Sequence, residues 1–289
     1  MAQWRIDKPE SLDLTGVRRL DVRVVAGSVD VVGRPAPVAN PEGSATNGSA
    51  ANGVADDGAA HLEVTRVDGP LIVTLEGDTL TIAHERLSWS GLLDWVSTNR
   101  KASADVSISL PAACPVELGV VSADAVVSGI TSPVKVKSVS GSVTLDGVRS
   151  DISAQTVSGD LEARGLSGSL HFTTVSGDLT VVDGTSGRVR AETVSGQVTL
   201  DLDIPADSSI DVSSVSGDLT VRLPGTAGLT VTAKTMSGGL DSAFEGLTTE
   251  RKPGRISMQG QVGTGDGQLR AKTVSGDVTL LRRATGAPA

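Results

Sequence analysis

The stretch Thr156-Val157-Ser158-Gly159-Asp160-Leu161 returns as Thr174-Val175-Ser176-Gly177-Asp178-Leu179 and again as Thr273-Val274-Ser275-Gly276-Asp277-Val278. Looser copies of this phrase place glycines at Gly141, Gly159, Gly177, Gly196, Gly217, Gly238 and Gly276. Successive differences between these positions are 18, 18, 19, 21, 21 and 38 residues, the last being two periods of 19. A period of about 20 residues, built from β-type residues, specifies a solenoid. A unit that short cannot bury its apolar face alone and must stack on its neighbours.

With each repeat glycine taken as position zero, apolar residues recur at −7, −5, −2, +2 and usually +4. The Gly177 coil gives Leu170, Phe172, Val175, Leu179 and Val181, and the Gly217 coil gives Ile210, Val212, Val215, Leu219 and Val221. The alternation predicts half-buried strands, and the break between −5 and −2 predicts a corner of the backbone there. On this reading Val175 faces the core, and a charge at that position is expected to unfold neighbouring coils. Thr or Ser at −3 is expected to stack as a ladder of hydroxyls about 4.8 Å apart. A second turn follows the +4 strand, as at Asp146-Gly147 and Asp183-Gly184. Each coil then holds two short strands and two turns, paired in parallel with the next.

The template also fits around Gly27 (Leu20, Val22, Val25, Val29, Val31) and around Ala123 (Val116, Leu118, Val121, Ala125, Val127). The expected fold is all-β: a single right-handed parallel β-solenoid, or β-helix, of about ten coils with an 18–21-residue period, running from about residue 17 to 282. Residues 1–33 read as N-terminal strands and the first coil, and 34–60, rich in Pro, Gly, Ala, Ser and Asn, as a disordered insertion. Residues 61–111 read as strands plus a Trp-containing apolar loop, 112–282 as the repeats and 283–289 as a flexible tail. Within these, 62–83 gives two alternating strands joined through Glu76-Gly77-Asp78, and 245–268 a longer loop with one strand at Ile256-Ser257-Met258.

Composition excludes several functions. The net charge of −9 offers no basic patch for nucleic acid. The single cysteine, Cys114, excludes an intramolecular disulfide and a cysteine-built metal site, and its apolar setting predicts a buried small side chain. The first ten residues lack the apolar core of a secretory signal, and no 18-residue apolar run occurs, so the expected location is the cytoplasm, with a peripheral membrane position as the alternative.

His61, His84 and His171 lie far apart in sequence, and no nucleophile elbow, metal-binding His pair or paired-carboxylate motif occurs, so no catalytic residue is assigned. Asp160, Asp178, Asp218 and Asp277 follow their repeat glycines and could line up as Ca²⁺ ligands. Ser142, Gln197 and Gly239 interrupt that row, and the nonapeptide of calcium β-rolls is missing, so capping of turn amides is expected instead, with no metal and no cofactor. Gly263-Thr264-Gly265-Asp266-Gly267 is spaced like a phosphate loop but lacks the strand-then-helix setting, and reads as a turn.

Leu87-Ser88-Trp89-Ser90-Gly91-Leu92-Leu93-Asp94-Trp95-Val96 gathers two of the three tryptophans. Two readings stand. The segment either closes an open solenoid end, or forms an interaction tip through Trp89, Leu92, Leu93 and Trp95 that touches a partner or membrane interface.

The repeats at 156–161, 174–179 and 273–278, with Ser109-Leu110-Pro111 before the array, resemble the bacterial β-strand-repeat proteins called putative adhesins, a domain family of unknown function. The resemblance spans roughly 17–282. It implies a right-handed parallel β-solenoid and a surface location, and carries no catalytic residues. The expected role is a non-enzymatic scaffold or interaction module, meeting an unknown protein partner along its regular faces or at its ends, where end-to-end self-association is also open to it. The alternative is a peripheral membrane or envelope-stress component docking through 87–96. A carbohydrate-acting β-helix enzyme is the remote third reading.

Overall fold

The computed structural model describes residues 1–35, 58–84 and 102–283. Among them every regular element is a strand, and the strands join in one mostly parallel hydrogen-bonded sheet. The repeats explain why. Strand Ile152–Thr156 pairs in parallel with Val134–Ser138 on one side and Leu170–Ser176 on the other. Strand Leu161–Arg164, from the other half of the same coil, pairs in parallel with Val143–Asp146 and Leu179–Thr185. Each coil therefore adds one strand to each of two ladders, as the periodicity requires.

Inside, equivalent positions stack in register. At −7 the row Ile152, Leu170, Val189 and Ile210 is buried, as are Leu161, Leu179, Val198 and Leu219 at +2. Each such side chain stabilises the fold by about 1.5–3 kcal/mol through burial. Phe172, fully buried, occupies −5 of its coil, and its Cα partners in the two adjacent coils are Ala154 and Ala191. A ring fits this narrow core where both stacked neighbours are small.

The corner differs from expectation. Position −2 does not face the core: Val175 is 52% exposed and Val215 50%. The alternation instead runs on without a break to −3, where Ser138, Thr156, Thr174, Thr193, Ser214, Thr235 and Thr273 are all buried. The backbone turns there and leaves polar groups facing the core, and in some coils the hydroxyl meets one of them, whereas Thr193 Oγ1 and Ser214 Oγ are buried without a partner among the described residues. Ser138 Oγ donates to the Gly141 carbonyl at 2.9 Å and accepts the Gly141 N–H at 3.1 Å, and Thr235 Oγ1 donates to the Gly276 carbonyl at 3.1 Å. The hydroxyl ladder forms directly between Thr156 and Thr174, at 2.8 Å. With Val175 facing outward, a charge there is no longer expected to unfold the neighbouring coils.

The repeat glycine is fixed by close approach. A Cβ on Gly177 would lie 2.4 Å from the Gly159 carbonyl oxygen, and one on Gly217, where φ is +151°, 2.0 Å from that of Gly196.

Chain order and spatial order part at both ends. Strand Arg19–Arg34 pairs in parallel with Val116–Ser128 inward, and with Thr79–His84 and Ser103–Pro111 outward. Antiparallel strands then close this end: Leu71–Glu76 and Ala2–Ile6 on one side, Ala60–Asp68 and Glu10–Leu14 on the other. Ile6 and Leu14 are buried there and Trp4 packs on the core, so these residues close the open end. At the far end Leu229–Thr235 is followed by an antiparallel hairpin, Leu247–Lys252 with Arg255–Val262, where the sequence suggested one strand. The last coil, Gly267–Lys272 with Val278–Arg283, lies between the Gly217 coil and the Gly238 coil.

Candidate interaction surface

Placing threonine inward turns the next residue outward. The −2 side chains line up along one corner, in the spatial order Val121, Val139, Val157, Val175, Val194, Val215, Val274 and Met236. The first three are partly exposed; beyond them Val175 is 52%, Val194 49%, Val215 50%, Val274 45% and Met236 60% exposed. With coils about 4.8 Å apart, this is an apolar ridge one residue wide. Exposed serines flank it at −1, including Ser158, Ser176, Ser195, Ser216, Ser237 and Ser275.

Backbone groups along the ridge, and some of the serine hydroxyls beside it, are engaged from coil to coil. The Ser176 N–H donates to the Val157 carbonyl at 2.7 Å, and Ser158 Oγ donates to the Val139 carbonyl at 3.1 Å. At its N-terminal end the ridge runs under cover. Val25 is 6% exposed and packs with Ala102, Val121 and Val139. The ridge side chains from Val175 to Met236 form a continuous row of half-exposed apolar groups on a β scaffold.

The acidic row beyond the glycine is engaged in structure. Asp160 accepts the Asp178 N–H at 2.9 Å, Asp178 accepts that of Gln197 at 2.7 Å, Asp218 that of Asp277 at 2.9 Å, and Asp277 that of Gly239 at 2.6 Å. These are the caps the sequence suggested. At another corner Asp151 accepts the Ser169 hydroxyl and N–H at 2.5 and 3.1 Å, and these bonds, the hydroxyl first, hold its carboxyl below the usual range. Among the described residues no group of three or more His, Cys, Asp or Glu is arranged to hold a metal ion.

The remaining candidates are dispersed. His61 pairs with Asp13 at 2.7 Å on the surface, and His171 sits beside Ser153 and Arg190 in the register of its strand. His84 is buried, its Nδ1 accepting the Val25 N–H at 3.3 Å; burial lowers its pKa and a Ser103 backbone hydrogen bond partly offsets this. Cys114 is buried, with its thiol 3.4 Å from the Val17 carbonyl. Gly263–Gly267 forms the turn into the last coil. A groove of about 770 Å³ runs beside Arg34, Pro111, Thr131, Asp146 and Arg149. Trp89, Leu92, Leu93 and Trp95 lie outside the described residues, as do positions 36–57 of the expected insertion and 284–289 of the expected tail. The ridge itself was missed because valine reads as core. The signal available was the unbroken parity of −7, −5 and −3, with Thr or Ser holding the last place.

The molecule is thus a parallel β-repeat protein with an apolar corner. Within that class, matches of the family model over residues 97–215 and 182–281 show that the chain belongs to the Toastrack family (DUF4097), a domain of unknown function. This is the adhesin-like bacterial kind that its repeats resemble. The chain is similar to a crystal structure of a putative adhesin from Bacteroides fragilis, at 13% identity and a TM-score of 0.45 over 96% of this chain and 98% of that one. A putative adhesin from Parabacteroides distasonis shares 9% identity at a TM-score of 0.44, over 96% and 97%. A putative lipid binding protein from the same species shares 11% at 0.41, over 96% and 98%. None of these three is named as an enzyme. No curated protein matches the chain. No helix among the described residues is long and apolar enough to cross a membrane.

Proposed function

We propose that this chain is a non-enzymatic interaction module that holds its partner along the valine–serine corner, with a right-handed solenoid of about ten coils as the rigid carrier. The observation that carries this reading is the run of half-exposed apolar side chains from Val175 to Met236. Apolar side chains standing on a rigid ladder lose little entropy on contact, and their removal from water supplies the affinity. The serines beside them add no charge to be desolvated. A repetitive ridge suits a partner with an elongated apolar groove.

The test compares the parent with a Val175→Ser/Val194→Ser/Val215→Ser variant. Cross-linked co-purification from the source bacterium is expected to retain a protein with the parent and lose it with the variant, the two melting alike. The same captured proteins with both would overturn the ridge as the contact surface. Vesicle co-sedimentation of the same pair separates a protein partner from a membrane: sedimentation of both with vesicles would move the contact to the sequence-predicted tip at 87–96.

A further inference from the structure

The coil that ends the described chain is the one with the most unusual position. Strand Gly267–Lys272 lies in parallel between Ser209–Ser216 and Leu229–Thr235, with Leu269 in register with Ile210 on one side and Val231 on the other. Strand Val278–Arg283 lies between Leu219–Pro224 and Leu240–Ser242, with Val278 in register with Leu219 and Leu240. The corner and cap bonds follow the same placement. Gly217 N–H donates to the Ser275 carbonyl at 3.0 Å and Ser237 N–H to that of Val274 at 2.9 Å, while the Asp218 carboxylate caps Asp277 and that of Asp277 caps Gly239. The Gly238 coil and its hairpin are joined to the rest of the sheet through this late coil.

A short turn, Gly263-Thr264-Gly265-Asp266, leads into the coil, with φ of +57° and +74° at its two glycines. At the other end Arg283 reaches past the neighbouring strand. Its Nε donates to Asp201 at 3.1 Å and its Nη1 to Asp203 at 2.6 Å, two strands away in the ladder. Arg283 is 23% exposed and Asp201 12%.

We infer that the coil Gly267–Arg283 is an exchangeable insert through which two copies of this chain link, with Arg283 as the latch that governs how readily it leaves. The coil enters a slot whose two walls are made by residues that precede it in the chain. Each register pair, corner bond and Asp cap described above joins the coil to one of those walls. A second copy offers the same walls, so the exchanged coil makes the same contacts and only the connecting turn changes its path. Exchange of an identical element at a short hinge is a low-cost route to a dimer. The latch bonds lie at the outer end of the coil, where they oppose its first step out. This inference stands apart from the ridge and does not need it.

The experiment uses the full chain in a Cys114→Ser background. Ser213 and Lys272 are Cα partners across the slot, about 4.8 Å apart by strand spacing and within disulfide reach. In a Ser213→Cys/Lys272→Cys double variant an internal disulfide reports the coil in its own slot. Mixing the two single variants, warming them below the melting point and oxidising the mixture is expected to give a covalent heterodimer on a non-reducing gel. Arg283→Ala is expected to raise the initial rate at which the heterodimer forms about five-fold, with the same final yield because the exchanged coil makes the same contacts. His171→Cys mixed with Arg190→Cys, partners between two interior coils, serves as the control for chance collision. A heterodimer no more abundant than the control, while the double variant closes its internal disulfide, would overturn exchange. An unchanged rate of heterodimer formation with Arg283→Ala would overturn the latch.

Discussion

The Gly27 and Gly177 coils present the same corner in two ways. At Gly27 both −3 and −2 are valines: Val24 joins the main core at 0% exposure, and Val25 is 6% exposed beneath Ala102. At Gly177 the same places are Thr174, buried, and Val175, half exposed. The polar groups of the turn account for the difference. At Gly27 they are met from outside, where His84 accepts the Val25 N–H and Asp105 accepts the Ser28 N–H at 3.0 Å. In the repeats no described strand covers the corner, and at Ser138, Thr235 and Thr273 the −3 hydroxyl reaches a glycine carbonyl from within. Two valines of equal apolarity therefore have opposite environments, and what lies over the corner decides which.

The largest effect that would break this comparison is a charge placed inward. Thr174→Asp is expected to cost about 3–5 kcal/mol, because the carboxylate is buried with no cation beside it. Val175→Asp, one residue on, is expected to fall within about 0.5 kcal/mol of the parent. Urea melts of the two decide it, and equal losses would mean that −2 faces the core after all. The second test moves the comparison between coils. Val25→Ala is expected to cost about 1–2 kcal/mol through lost packing, and Val175→Ala close to nothing. A smaller effect attends the inward hydroxyl itself: Thr156→Val keeps the shape, removes the bond to Thr174 and is expected to cost about 1 kcal/mol. A variant more stable than the parent would show that the hydroxyl contributes no net stability.

The last prediction concerns pH. Burial depresses the His84 pKa, so the unfolded chain binds the proton more readily than the folded one. Stability held by neutral His84 is present above the unfolded value of about 6.5 and is lost as pH falls from there toward the folded value. Melting points measured from about pH 7.5 to about pH 5.5 are expected to fall more steeply for the parent than for His84→Gln. Parallel curves would show that His84 carries no linkage.

Much of the solenoid was legible because its causes are local and repeated. Leu170, Phe172, Leu179 and Val181 sit inward as their alternation requires, and the Asp caps connect the +1 positions of adjacent coils. The absence of an Asp178-like carboxylate at Ser142 and Gln197 marks where the row is interrupted. The corner was misread because apolarity was taken to mean burial, although Thr174 offers the core a methyl group as well as a hydroxyl. The candidate surface was hidden by the same step, since a ridge of valines and a core of valines look alike until the parity of the strand is followed through.

The sequence alone determined the period, the parallel stacking and the inward rows at −7, −5, +2 and +4, because a twenty-residue β unit has one economical way to bury its apolar side chains. Tertiary structure decided which end strands cover which coils, where the last coil enters, and which valines meet water. Those outcomes depend on contacts between residues far apart in the chain, such as Val25 with Ala102 and Arg283 with Asp201. Adjacent repeats carry nearly the same side chains, so their sequences leave the choice of neighbour open until the whole stack is assembled.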